Sequence, residues 1–227
     1  MNSSMSNEKI LSYNDVVLRR SDLDILSGPH FLNDRIIEFY FSYLASCYAS
    51  EDILLVPPSI SFWISNCPDI ESLKDFVEPL KFPDKKMVIF PVNNNDDVSM
   101  AEGGSHWSLL AYERKKNVFV HHDSLASSNR CHAKRLYKGV VKFMGISDSK
   151  VDAPFIDCTT SPQQMNGYDC GLYVTAIAKV ICEWYVNGRS EDMDSWFTSL
   201  KTQITTSSVS NMRNEILLLI KGLMIKK

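Results

Sequence analysis

The sequence predicts an α+β domain in which a small mixed sheet is held between helices. Four short runs rich in Val, Ile and aromatic residues crowd the stretch from residue 85 to residue 160. Segments of helical periodicity lie on either side of them, and residues 170 to 186 are apolar on nearly every face. The 227 residues contain no internal repeat and no low-complexity linker, so one domain is expected over residues 10–227, after a flexible tail of residues 1–9.

The elements follow in order. "FLNDRIIEFYFSYLA" begins a helix, with Asn33 placed to cap its first turn and Leu32 and Ile37 placed as a hydrophobic staple. "PPSISFWISN" and "DIESLKDFVEPL" predict two short helices, the second opened by acidic residues 69 and 71. "KKMVIFPV" (85 to 92), "HWSLLAYE" (106 to 113) and "NVFVHHD" (117 to 123) are apolar on both alternating faces, as central strands of a covered sheet are. "APFIDCTT" (153 to 160) is a further strand. "CHAKRLYKGVVKFMG" is helical and ends at Gly145, and the run from Cys170 to Val186 is a buried helix stopped by Asn187-Gly188. Two outer helices are expected at about 190 to 200 and 209 to 224, with "ILLLI" (216 to 220) as a core face.

Composition excludes several classes. Hydrophobic residues make up 44% and charged residues 22%, which is globular rather than disordered or fibrous. A net charge of -3 argues against a broad nucleic-acid surface. Residues 1–9 lack the apolar core of a signal peptide, and no stretch reaches the roughly 18 apolar residues of a spanning helix. A soluble monomer, cytoplasmic or nuclear, is therefore expected. The six cysteines are scattered without C-x-x-C pairs, so reduced thiols are expected and neither a cofactor nor a metal.

The chemistry converges on Cys170, within "SPQQMNGYDCGLYV". At a helix start, with Asp169 near the cap, its thiol would sit at the positive end of the helix dipole. Gly171 would leave room for a substrate carbonyl. His106 and Asp123 fall on neighbouring strands about the polar turn "ERKKN", nearly opposite each other, where an imidazole and a carboxylate can bond. That is the orienting pair of a cysteine protease, His106 as base and then acid. Gln163 or Gln164 could supply an amide to an oxyanion, and spacing does not choose between them. Taken singly, a buried structural cysteine, a core histidine and a solvated aspartate are each commoner. A metal site made of His121, His122, Cys131 and His132 is the rival, but it lacks zinc-like pair spacing.

Four motifs, "FLND" (31 to 34), "SHWSLL" (105 to 110), "HHDS" (121 to 124) and "QQMNGYDCG" (163 to 171), closely resemble those of the ubiquitin-like-modifier cysteine proteases, which deconjugate SUMO and Nedd. The resemblance implies a papain-like fold with the nucleophile at the N-terminus of a buried central helix. It implies His106, Asp123 and Cys170 as the triad and Gln164 as the oxyanion donor. Trp107 matches the tryptophan that roofs a tunnel for the modifier's Gly-Gly tail, a passage that suits glycine because it has no side chain. "LSYNDVVLRRSDLDIL" is similar to the small deneddylase branch. There the loop over residues 93 to 105, with Asn93, Gly103 and Gly104, corresponds to one that grips the modifier, and Asp34 to an aspartate that reads its tail. Phe31 stands where the family usually has tryptophan. The implied function is cleavage after the Gly-Gly of a Nedd-type modifier, to mature its precursor and free it from targets such as cullins; a SUMO protease or a non-catalytic modifier-binding module are the alternatives. The last 35 or so residues match weakly and carry no expected function.

Overall fold

The computed structural model describes residues 6–100, 103–145, 153–187 and 193–225. The chain opens with a hairpin that the sequence reading does not include, β1 (Lys9–Tyr13) against β2 (Val16–Arg19), turning at Asn14 with φ 48°. It reaches back across the expected boundary at residue 10, since Lys9 pairs with Arg19 and Arg20 forms an ion pair with Glu8. Helix α1 (Arg20–Ser27) follows directly, and the buried Asp22 side chain accepts from the Arg19 backbone N–H at 2.7 Å. Asp22 also accepts from Arg35 and from Asn33 Nδ2, which ties α1 to the start of α2 (Asp34–Cys47). The α2 cap forms as expected: Asn33 Oδ1 accepts from Ile36 N at 3.0 Å, and the staple residues Leu32 and Ile37 are both buried.

The main sheet has five strands in the order β3-β4-β5-β6-β7: β3 (Ile53–Leu55), β4 (Met87–Asn93), β5 (Trp107–Glu113), β6 (Val118–His122) and β7 (Phe155–Asp157). The inner pairs are antiparallel and the outer pairs parallel, so the sheet is mixed. Each parallel pair needs a crossover. Helices α3 (Pro58–Asn66) and α4 (Ile70–Val77) supply one, and α5 (Arg130–Val140) supplies the other. Asp69 caps α4 by accepting from Glu71 N and Ser72 N. A 3₁₀ turn over Val141–Phe143 extends α5 as far as Gly145, which takes a left-handed φ of 68°.

Strand alternation divides the interior in two. Met87, Ile89, Leu109, Ala111, Val118 and Val120 face one core, built with α2, α6 (Cys170–Val186), α7 (Met193–Gln203) and α8 (Thr206–Ile225). Val88, Phe90, Leu110, Tyr112 and Phe119 face the other, built with α3, α4 and α5. Both faces are covered, which explains why these strands read as nearly continuous apolar runs. Helix α6 is buried along almost its whole length, as its sequence predicts; side chains such as Ile177 and Ile181 each contribute about 1.5–3 kcal/mol by leaving water. Its C-cap is Asn187, while Gly188 and the expected start of α7 at residues 190–192 lie outside the described residues. In α8, Ile216, Leu217 and Ile220 are buried, so "ILLLI" is a core face.

Strand direction gathers three termini at one end of the sheet: the end of β4 at Asn93, the start of β5 at Trp107 and the end of β6 at His122. His106 and Asp123 lie one residue beyond the strands at that end, which α6 meets with its N-terminus.

Candidate active site

Cys170 is the first residue of α6 and is fully buried. The turn leading to it is locked by Asn166, whose Oδ1 accepts from Tyr168 N and Asp169 N at 3.1 and 3.0 Å. One sequence expectation changes here and another is extended. The Asp169 side chain makes no cap bond; it accepts from Asn166 Nδ2 and from Arg213 Nη2, both at 2.8 Å, because a full guanidinium charge outcompetes the helix N–H groups for it. Gly171 gains a second reason to be small, its packing on Leu32: a Cβ there would lie 2.8 Å from Leu32 Cβ.

His106 Nε2 lies 2.7 Å from Asp123 Oδ1. The two residues are not opposite each other. The register pairs Leu109 with His122, so Asp123 falls level with Ser108, and the bond to His106 runs diagonally across the strand ends. An ionised carboxylate only accepts, so Nε2 carries the proton and Nδ1 is left for Cys170, with which His106 also hydrogen-bonds. Burial pulls the imidazole pKa down, but the bonds and charges of Asp123 and Cys170 outweigh it and raise it to about 9. Burial pushes the Asp123 carboxyl up, yet the His106 bond and the N–H groups of Asn129 and Leu125 prevail and hold it below the usual carboxylate range.

The two glutamines divide by their bonds. Gln163 Nε2 donates to the carbonyls of Asp123 and Ser161, both at 2.9 Å, and its Oε1 accepts from Ala126 N, so both amide hydrogens are committed to backbone. Gln164 Oε1 accepts from Ser124 Oγ at 2.7 Å, and its Nε2 gives one hydrogen to the Asn166 carbonyl at 2.7 Å. The second amide hydrogen of Gln164 is available to an oxyanion.

A groove of about 820 Å³ is lined by Phe31, Asp34, Asn93, Gly103, Gly104 and Trp107; none of His106, Asp123, Gln164 and Cys170 lines it, and Trp107, next in sequence to His106, is its link to the triad. Trp107 Nε1 donates to the Leu32 carbonyl at 3.0 Å, closing a bridge between the segment before α2 and the start of β5. Phe31 is 48% exposed at the rim. Asp34 Oδ1 accepts from Arg35 N, a first-turn role that leaves the residue on the groove wall. Gly104 has φ 79° and touches Asn93 so closely that a Cβ would overlap its Oδ1, and a Cβ on Gly103 would lie 2.5 Å from the Asn95 side chain. These glycines are close-approach positions against an asparagine cluster. The base of that loop is pinned by Asn94 Oδ1, which accepts from Ser105 N and His106 N at 2.7 and 3.0 Å.

Several supporting residues escape sequence reasoning. Asn129 bonds Asp123 through its backbone N–H, and its Nδ2 donates to the Val92 carbonyl and Ser108 Oγ at 3.1 and 3.0 Å. Beneath it, His121 joins Asp157 Oδ1 at 2.8 Å and Ser108 Oγ at 3.0 Å, a sealed arrangement with Ser108 and His121 essentially inaccessible. The residues of the rival metal reading part company: His121 faces Asp157, His122 bonds Ser161, His132 faces Asp96 and Cys131 is exposed. Among the described residues no cluster of three His, Cys, Asp or Glu could hold a metal ion.

Comparison with known proteins agrees with this architecture. The model of the Ulp1 protease family, C-terminal catalytic domain, matches residues 30–226, and so extends through the C-terminal helices, where the quoted motifs are absent. The NEDD8-specific protease 1 of Arabidopsis thaliana is 54% identical over 99% of this chain and 97% of its own length. Human Sentrin-specific protease 8 is 34% identical, over 91% of this chain and 93% of its own. Among solved structures, the C-terminal Ulp1 protease domain in complex with Smt3, the yeast orthologue of SUMO, shares the fold with a TM-score of 0.68 at 22% identity, over 97% of this chain and 90% of that one. A buried cysteine heading the central helix, faced by a histidine that an aspartate orients, thus sits in a chain that belongs to the Ulp1 family of cysteine proteases.

Proposed function

We propose that this protease cleaves after the C-terminal Gly-Gly of a Nedd-type ubiquitin-like modifier, both to mature its precursor and to release it from lysine side chains of target proteins, cullins among them. The observation that carries the reading is the His106–Asp123 pair against a fully buried Cys170, with the Trp107–Leu32 bond as the bridge of the proposed passage. A thiol so enclosed suits a thin, extended tail, and glycine gives the thinnest one. The Nedd-type preference draws on the names of the two relatives at 54% and 34% identity.

In the proposed mechanism, His106, protonated below about pH 9, already holds the proton of the Cys170 sulfur, which attacks the terminal glycine carbonyl. The oxyanion is held by the Gln164 amide and the Cys170 backbone N–H. His106, oriented by Asp123, returns the proton to the leaving amine as the carbon–nitrogen bond breaks and a thioester remains. Water deprotonated by His106 then hydrolyses the thioester, freeing the modifier and restoring the thiol. Asp34 and Phe31, with Asn93, Asn95, Gly103 and Gly104 of the loop over residues 93 to 105, line the groove and are assigned to the modifier. The exposed side chains of Trp63, Val98 and Met100 add apolar surface there.

The test is a panel of Nedd-type, SUMO and ubiquitin modifiers bearing C-terminal electrophiles. Labelling of Cys170 by the Nedd-type reagent, lost in Cys170→Ala, is expected. Labelling by the SUMO or ubiquitin reagent alone would refute the modifier assignment.

A further inference from the structure

Arg213 reaches from α8 to both walls of the site at once. Its Nη1 donates to the carbonyls of Ile25 and Gly28 at 3.0 and 2.9 Å, and its Nη2 to the carbonyl of His30 at 2.9 Å and to Asp169 Oδ1 at 2.8 Å. The guanidinium lies 5.7 Å from the centre of the Tyr168 ring, and the Arg213 and Asp169 side chains are only 13% and 7% exposed. One set of bonds holds the strap that runs into Phe31 and Leu32. The other holds the residue covalently joined to Cys170.

We propose that Arg213 is a positioning residue that sets the tunnel wall in register with the nucleophile, which makes α8 part of the catalytic architecture. The inference rests on the proposed tunnel and triad. Leu32 is the wall element concerned: its carbonyl anchors Trp107, and its side chain packs against Gly171. Strap and nucleophile are more than 130 residues apart in sequence, so their spacing depends on cross-links such as this one. The forked donor geometry of arginine can serve four acceptors at once, whereas lysine offers a single point charge. Arg213 also neutralises a carboxylate next to Cys170 that would otherwise oppose the negative charge that attack develops on the carbonyl oxygen.

The experiment measures kcat and KM for the full chain and its Arg213→Ala, Arg213→Lys and Asp169→Asn variants, on a Nedd-type modifier carrying a C-terminal fluorogenic amide, with a melting curve for each. A shift of the sulfur by a fraction of an ångström predicts kcat lower by about 10- to 100-fold in Arg213→Ala, with KM within about threefold of wild type. Arg213→Lys should stay low, Asp169→Asn should lose less, and millimolar guanidinium should restore part of the Arg213→Ala rate, which a general loss of folding would not allow. If Arg213→Ala fails to fold, the other two variants decide. A kcat within twofold of wild type per folded molecule in both of them, or a loss confined to KM, overturns the proposal. A wild-type protein that cleaves no modifier substrate overturns the function reading itself, and this inference with it.

Discussion

Ser124 Oγ donates to Gln164 Oε1 at 2.7 Å, and this bond decides which way the glutamine amide faces. Ser124 follows the triad aspartate directly, and its carbonyl also accepts from Gln164 N at 2.8 Å, so the acid and the oxyanion donor are mounted on one short segment. Ser124→Ala frees the amide to rotate. The expected result is a kcat lower by about tenfold with KM little changed, against roughly 100- to 1,000-fold for Gln164→Ala, where the donor itself is gone. Steady-state kinetics on a modifier with a fluorogenic C-terminus separates the two, and equal effects would show that Ser124 does more than orient.

The elevated imidazole of His106 predicts an alkaline limb in the pH profile. Proton return to the leaving amine requires the protonated ring, so kcat/KM should fall as pH rises through about 9. In Asp123→Asn the carboxylate no longer opposes the downward push of burial, and the limb should move to lower pH along with a large loss of rate. Stability follows the same sign. The folded value lies above the ordinary one of about 6.5, so the contribution of His106 is fully present below that pH and is lost as pH rises through about 9. Rate profiles and urea midpoints over this range would expose an unshifted histidine as a limb near neutrality.

Gly171 supplies a steric prediction. A Cβ at this position would approach Leu32 Cβ to 2.8 Å with both residues buried, so Gly171→Ala should destabilise the fold by about 1–3 kcal/mol. It should also push the tunnel wall off the nucleophile. Adding Leu32→Ala relieves the overlap, so the double variant should be more stable than the sum of the two single changes. Additive free energies from chemical denaturation would count against a direct contact.

Much of this site is visible in the sequence because it depends on local pattern. The apolar run that starts at Cys170 announces a buried helix, and the strand runs on either side of the polar turn bring His106 and Asp123 to one end of a hairpin. The diagonal offset between those two is not visible, because both lie just beyond the last paired residues and the register is fixed by core alternation. The β1–β2 hairpin did leave a signal in Asn14-Asp15, a two-residue turn between alternating apolar positions that end up buried at Leu11, Val16 and Leu18. Asp169 reads as a helix cap until Arg213, 44 residues later, claims its carboxylate; no local rule carries that competition. Asn129 is hidden for the same reason, since its partners come from three separate segments around the end of the sheet.

Trp107 tests the passage itself. Its Nε1–H bonds the Leu32 carbonyl at 3.0 Å and the residue lines the groove, so in the proposed passage it would serve as both fastening and cover. Trp107→Phe keeps an aromatic cover and removes the fastening, leaving a partly buried carbonyl without its donor. The expected outcome is a loss of about tenfold in kcat/KM on a Gly-Gly tail, a change worth roughly 1.4 kcal/mol. Discrimination should move in the opposite sense. A wall no longer held by that bond can retreat, so a modifier whose penultimate glycine is replaced by alanine should be cut closer to the Gly-Gly rate than it is by the wild type. The measurement is the ratio of kcat/KM for the two tails in each enzyme. A ratio unchanged by Trp107→Phe would mean that the Trp107–Leu32 bond does not set the width of the passage, and that the preference for glycine arises deeper, where Leu32 packs against Gly171.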